Sequence, residues 1–272
     1  MSDLLTLKQR RNNITAVYEI TDAMQIITTI IIGRTQKLLY YRRKVQSYYD
    51  RLLFTREIDK KKSRQKSEPW LIVFFAEKGF SGNFNPQILP LFNKNKKTPN
   101  IILVGSRGKN YAEKLGVKVK LFCEGANKVP TESITDKIFN LLKENDFPWD
   151  VKVIVNKYNN MFVQIPKIVD FFPAHEEVYR NVSAFIDMNN EKLDEFILEK
   201  YVRARLFYLF AQNFTGETAS KLLMMKNAVE NAEKLKEEVS MEMYKARQLK
   251  ITQELSEIIS AYKVLQNMTE RR

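Results

Sequence analysis

Between Val17 and Leu52, apolar side chains recur with a period that leaves the chain little freedom. Val17, Ile20, Met24, Ile27, Ile31, Arg34, Leu38, Tyr41, Val45, Tyr48 and Leu52 follow at alternating spacings of three and four. Only Arg34 breaks the apolar character. A repeat of this kind over about five heptads is a coiled-coil seam. At about 1.5 Å per residue, a helix of some 50 residues is roughly 75 Å long. A compact core cannot cover that length, so the helix needs a second long helix beside it.

The other end of the chain offers one. Ala228, Ala232, Leu235, Val239, Met243 and Ala246 repeat at helical spacing. The phase slips across Arg247 to Lys250, and Ile251, Leu255, Ile258, Tyr262 and Leu265 resume it. Such a stutter changes a supercoil locally. No proline follows Pro173. Two seams at opposite ends predict a long antiparallel coiled coil within the chain. Two helices of an ordinary bundle are the plainer alternative, but the seams are long for that.

The middle has a different texture and holds most of the glycines and prolines. Strand patterns at Trp70–Ala76, Asn100–Gly105, Val117–Phe122, Val151–Asn156 and Met161–Ile168 alternate with helical ones at Pro86–Asn93, Lys109–Leu115 and Thr131–Glu144. Alternation of this kind predicts βαβ units and a mainly parallel sheet. The fold class expected is α/β: terminal coiled-coil helices plus a Rossmann-like domain. The expected division is 1–67 for the first helix, 68–199 for the globular domain and 200–272 for the last helix. Lys60–Lys66 reads as a solvated linker.

Charge narrows the partners. The 272 residues hold 45 Lys and Arg against 32 Asp and Glu, a net charge of +13. Residues 1–66 alone hold fifteen Lys and Arg against six Asp and Glu, so an acidic partner would meet the first helix. The most apolar uninterrupted run, Ile26–Ile32, is far short of the roughly 20 residues of a membrane span, so no transmembrane segment is expected. The single Cys and single His leave no disulfide, multi-Cys zinc site or histidine relay to assemble.

Neither glycine-bearing loop makes a phosphate cradle. Glu77-Lys-Gly-Phe-Ser-Gly-Asn-Phe-Asn85 and Gly105-Ser-Arg-Gly-Lys109 lack both the Walker spacing and the dinucleotide fingerprint. The first reads as a tight turn between strand and helix. His175 reads as a surface residue, Cys123 as a buried thiol, and the glycosylation patterns at Asn181 and Asn213 as chance. No metal site, cofactor or catalytic residue emerges, and paired carboxylates fall on helices where solvated faces explain them. Tyr40 and Tyr41 beside Arg42, Arg43 and Lys44 suggest nucleic acid, but Tyr41 belongs to the seam and no nucleic-acid module is visible. No nucleic-acid partner is expected.

These residues carry a resemblance. Lys226-Asn-Ala-Val-Glu-Asn-Ala232 and Tyr244-Lys-Ala-Arg-Gln-Leu-Lys-Ile-Thr-Gln-Glu-Leu-Ser-Glu-Ile-Ile-Ser260 resemble the C-terminal signature of the gamma subunit of F-type ATP synthases. Ile20-Thr-Asp-Ala-Met24 is similar to that family's I-T-K-A-M, and Glu77–Asn85 to its D-R-G-L-C-G-x-x-N turn. The resemblance implies a non-catalytic central rotor shaft inside a ring of three alpha and three beta subunits. It also implies an epsilon-type subunit and a membrane c-ring in a full synthase, no cofactor, and a cytoplasmic site on the inner face of the cell membrane. The implied beta-subunit contacts are Arg247, Gln248, Thr252, Glu254 and Met24. Departures occur at Asp22, Ile31, Lys221-Leu222 and Ser81. A gamma-like chain of a paralogous ATPase driving motility is the alternative.

Overall fold

The computed structural model describes residues 2–55, 58, 67–126, 129–172 and 191–269. The linker Lys60–Lys66, His175, Asn181 and the Leu265 side chain lie outside that description. Ten elements follow in order: α1 (Ser2–Thr55), β1 (Trp70–Phe74), α2 (Phe84–Asn95), β2 (Asn100–Val104), α3 (Ser106–Lys114), β3 (Leu121–Cys123), α4 (Glu132–Glu144), β4 (Val151–Tyr158), β5 (Gln164–Asp170) and α5 (Glu191–Thr269). The residues cluster into two compact units, Met1–Ile26 with Met225–Arg272, and Ile27–Met224. Both α1 and α5 contribute to each unit.

The larger unit is built on a five-stranded sheet in the order β3-β2-β1-β4-β5. The first four strands are parallel and β5 returns antiparallel along β4. β1 reads Trp-Leu-Ile-Val-Phe because it lies at the centre of a sheet covered on both faces, so no position can be polar. Its side chains alternate. Leu71 and Val73 join Ile88, Phe92 and Ala112 of α2 and α3. Trp70, Ile72 and Phe74 join Ile138 and Phe139 of α4, Tyr201 and Phe210 of α5, and Leu53 and Phe54 of α1. The connection from β2 to α3 turns at Gly105, with φ +101, where a Cβ would lie 2.4 Å from the carbonyl oxygen of Phe75. β3 is shorter than its sequence pattern, starting at Leu121 rather than Val117, with Val117 and Val119 packed beneath the sheet instead.

In the smaller unit the chain ends pair antiparallel. Arg10 forms a 3.7 Å ion pair with Glu242, and the Lys236 ammonium lies 5.6 Å over the Tyr18 ring. Leu4 and Leu5 face Met243, Leu249 and Gln253 across a groove of about 550 Å³. Position along α1 thus rises as position along α5 falls. Met225, Ala232 and Val239 are the buried α5 positions here, with Ala228, Met243 and Ala246 half-buried, and Leu235 is exposed.

On α1 the observed seam differs from the one read in the sequence. The less exposed side chains are Leu4, Leu7, Arg11, Ile14, Tyr18, Thr21 and Gln25 in the smaller unit. In the larger unit they include Thr28, Ile32, Thr35, Leu39, Arg42, Gln46, Tyr49, Leu53 and Phe54, and Ile31, Leu38 and Leu52 of the sequence-read seam are half-buried beside them, Ile31 and Leu52 against the core. The most buried positions follow the same three-four heptad one residue later, so the inward face is centred beside the sequence-read seam and overlaps it at Ile31, Leu38 and Leu52. Val17, Ile20, Ile27, Tyr41 and Tyr48 are at least half exposed. The physical reason is the partner. Small or polar side chains let a neighbouring backbone approach and find bonds within the helix: Thr21 and Thr35 hydroxyls donate to carbonyls of Val17 and Ile32. The bulkier Ile, Val and Tyr stripe is left to the outside.

This register makes a direct prediction. Ile32→Ala, which removes a buried side chain from the cluster with Ala219 and Leu222, should cost about 2–4 kcal/mol of stability. Ile20→Ala should change it by about 0.5 kcal/mol or less. Denaturant unfolding of the two variants would show the reverse ranking if the sequence-read seam were the packed one.

Candidate functional site

The residues singled out by sequence all lie in the smaller unit, on exposed helix surface. Arg247, Gln248, Thr252 and Glu254 are exposed on α5, and Met24 is 39% exposed on α1. Arg247 and Gln248 are neighbours in sequence. Thr252 donates its hydroxyl to the Gln248 carbonyl at 3.0 Å, and Glu254 pairs with Lys250 at 3.6 Å. Among the described residues no carboxylate lies within ion-pair distance of Arg247, so its guanidinium fork is available to a partner.

Beyond Ala246 the described α5 side chains face outward. Leu4 and Leu5 lie opposite Leu249 to Gln253, and α1 begins at Ser2. From Arg247 to Lys263 every α5 side chain is exposed, including Ile251, Leu255, Ile258 and Tyr262 of the resumed seam. That seam faces no α1 residue among those described. It forms a single helix with an apolar stripe, next to the four polar candidates.

On α1 the outward stripe adds Val17, Ile20 and Met24 in the smaller unit, and Tyr40, Tyr41, Val45 and Tyr48 in the larger. By length and composition α1 is apolar enough to cross a membrane, with an 18-residue window of mean hydropathy 1.2 of which 11% is buried. The sequence reading by uninterrupted runs passed over this window, since Thr, Gln and Asp punctuate it.

One further cluster was not singled out. The loop Glu77–Asn83 closes on α5 within the larger unit. Ser220 Oγ donates to the Ser81 carbonyl at 2.7 Å, and the Glu77 amide donates to Glu217 Oε2 at 3.4 Å. Glu217 is 4% exposed and is met by the Lys221 ammonium at 3.4 Å. It is a helical carboxylate off any solvated face. The clue in the sequence was a single charge in the run Phe214-Thr-Gly-Glu-Thr-Ala-Ser220 of small and apolar residues. Ser81, which replaces the turn cysteine, is 5% exposed, and its carbonyl, available at any residue, makes the contact.

Paired chain ends combined with a mainly parallel α/β unit define a stalk-type rotor chain. A family model described as ATP synthase matches residues 3–265, and the chain belongs to that family, in its gamma branch. It is 24% identical to the ATP synthase gamma chain of Mycoplasma mobile, covering 96% of this chain and 98% of that one. It is 25% identical to the gamma chain of Malacoplasma penetrans, covering 97% and 99%. Among solved structures its fold matches chains of Euglena gracilis mitochondrial ATP synthase. One is from the rotor in rotational state 1, with TM-score 0.68, 14% identity, and 92% and 99% of the two chains covered. Another is from the OSCP/F1/c-ring assembly in rotational state 3, with TM-score 0.70, 16% identity, and 97% and 95% covered.

Burial raises the Glu217 carboxyl above its ordinary 4.5, against the pull of Lys221 and of the Glu77 and Lys78 amides. A raised folded value means the folded chain holds this proton more tightly than the unfolded one. The group therefore favours folding in acid, and that contribution fades as pH rises from about 4.5 through the folded pKa. Asp50 is raised by burial and acts in the same direction. Thermal melts from acid to neutral pH should show a shallower decline for Glu217→Gln than for wild type, with the remaining slope reduced by Asp50→Asn. An unchanged slope in both variants would refute the assignment.

Proposed function

We propose that this chain is the central rotor shaft of an F-type ATP synthase and has no catalytic site of its own. ATP is made or hydrolysed in partner subunits, and the chain couples their changes of shape to rotation. The observation that carries this reading is the antiparallel pairing of the chain ends in the smaller unit, at Arg10–Glu242 and Tyr18–Lys236. It gives the family match a physical object: a two-helix rod with apolar stripes on its outer surface.

The partners are three alpha and three beta subunits around the rod, with an epsilon-type subunit and a c-ring in the full synthase. The apolar stripes on α1 and on the α5 tip give the ring a dry surface to bear on. Arg247, Gln248, Thr252, Glu254 and Met24 are the residues that meet the beta subunits. Arg247 takes a beta-subunit carboxylate, for which a guanidinium without an internal partner is suited. Segments 1–67 and 200–272 act as shaft, and 68–199 as the α/β part. The complex sits on the cytoplasmic face of the cell membrane, and the apolar window of α1 serves contact with the ring rather than insertion.

The similarity to chains named ATP synthase gamma favours a synthase over a motility ATPase. Purification of the chain from its cell should bring alpha and beta subunits with it. In that complex, Arg247→Glu should slow coupled turnover by about tenfold, through loss of a charge-assisted pair and added repulsion, while leaving the melting temperature of the chain unchanged. Turnover equal to wild type would remove Arg247 from the contact.

A further inference from the structure

Along α5 in the larger unit, Asn213, Glu217, Ser220 and Met224 repeat at spacings of four, three and four, which places them on one side of the helix. The three polar members all bond to main chain. Asn213 Oδ1 accepts from the Asn156 amide at 3.2 Å, Glu217 Oε2 accepts from the Glu77 amide at 3.4 Å, and Ser220 Oγ donates to the Ser81 carbonyl at 2.7 Å. Met224 fills the space beside Gly82, where a Cβ would lie 3.0 Å from its sulfur.

Each gripped segment is itself tied into the sheet. Asn156 Nδ2 donates to the Phe84 carbonyl at 2.9 Å, and Asn85 Oδ1 accepts from the Ala76 amide at 2.9 Å. The Glu77 carboxylate accepts from the Ser106 and Gly125 amides. One row on α5 thereby holds β4, the β1–α2 loop and the start of α3. Gly216, on the same stretch, has the Asn156 carbonyl 3.5 Å from where its Cβ would be, so helix and strand approach closely.

Around this row the α5 contact is apolar, through Phe210, Phe214, Ala219 and Leu222, and the next polar hold on the sheet lies about two to three turns earlier, where Tyr201 and Arg205 donate to the Phe171 carbonyl. Apolar packing is non-directional, and a helix seated only on such a surface turns or slides with little change in buried area. Hydrogen bonds are directional, and a turn of a few ångströms breaks them. Asn213, Glu217 and the Asn156 amide have no water to turn to, so breaking them leaves buried polar groups unpaired.

We propose that Asn213, Glu217 and Ser220 form a torsional anchor that makes the α/β unit turn with α5 instead of slipping against it. This rests on the rotor reading above. The three are positioning residues: they touch no reacting group and act by stiffening the junction between helix and sheet.

The test uses the chain assembled with its own alpha and beta subunits. The ring is arrested by a non-hydrolysable nucleotide, and a bead is attached through Lys97→Cys on the exposed surface of the α/β unit. Thermal angular variance of the bead reports torsional stiffness. Glu217→Ala and Ser220→Ala should each roughly double the variance, while Glu217→Gln, which keeps an acceptor for the Glu77 amide, should stay near wild type. Unchanged variance in both alanine variants overturns the proposal, even if their melting temperatures fall. Should Glu217→Ala fail to assemble, Ser220→Ala decides, since it removes one hydroxyl from a half-buried site. Failure of the wild-type complex to rotate when ATP is supplied would instead overturn the shaft reading, and the anchor with it.

Discussion

Everything in this molecule depends on a long helix that turns several small and polar side chains inward and leaves a row of Ile, Val and Tyr outside. Thr28, Thr35 and Gln46 are among the most buried side chains of α1, and Ile20, Tyr41 and Tyr48 among its exposed ones. Apolar surface removed from water contributes about 25 cal/mol per Å², so an isolated chain built this way leaves stabilisation unrealised. The arrangement is favourable when other proteins cover the outer stripe. The same inversion recurs at the α5 tip, where Ile251, Leu255, Ile258 and Tyr262 are all exposed. A rotor needs this: an axle held in a sleeve requires a surface that can bear on successive neighbours. Non-directional apolar contact permits such motion, and a fixed set of bonds would resist it.

The junction with the sheet shows the opposite choice. Where the helix must not slip, α5 turns polar groups inward to grip main chain: Asn213 to β4, Glu217 and Ser220 to the loop after β1. The same helix carries apolar surface where it is to move and buried bonds where it is to hold. Glu217 is costly to bury, and its carboxyl is pushed toward the protonated form. Lys221 and two backbone amides offset that cost. A buried charge in such a setting contributes geometry more than stability.

The sheet ties the α/β unit together. β1 is buried along its whole length and is paired on both edges, to β2 and β4. Aromatic contacts tie its faces to the helices, with Phe74 stacked on Phe210 and Phe75 packed on Phe92 and Tyr111. Tyr201 is fully buried and donates its hydroxyl to the Phe171 carbonyl at the end of β5, so α5 is also fastened at a second place.

The residue pattern by itself determined the two long terminal helices, the antiparallel return, the alternation of strand and helix, and the family. Each of these follows from periodicity or from a string of identities, both of which are local. The position of Arg247, Gln248, Thr252, Glu254 and Met24 on exposed helix was legible for the same reason. What only the tertiary structure decided was which side of α1 faces inward. Two heptad stripes one residue apart were both present: Ile31, Leu38 and Leu52 of the more hydrophobic one turn partly inward, while its Val17, Ile20, Ile27, Tyr41 and Tyr48 stay outside, a choice that hydrophobicity alone does not make. Glu217 was hidden for a related reason: a helical carboxylate is solvated or buried according to what packs above it, and the backbone of residues 77–81, far away in sequence, supplies that cover.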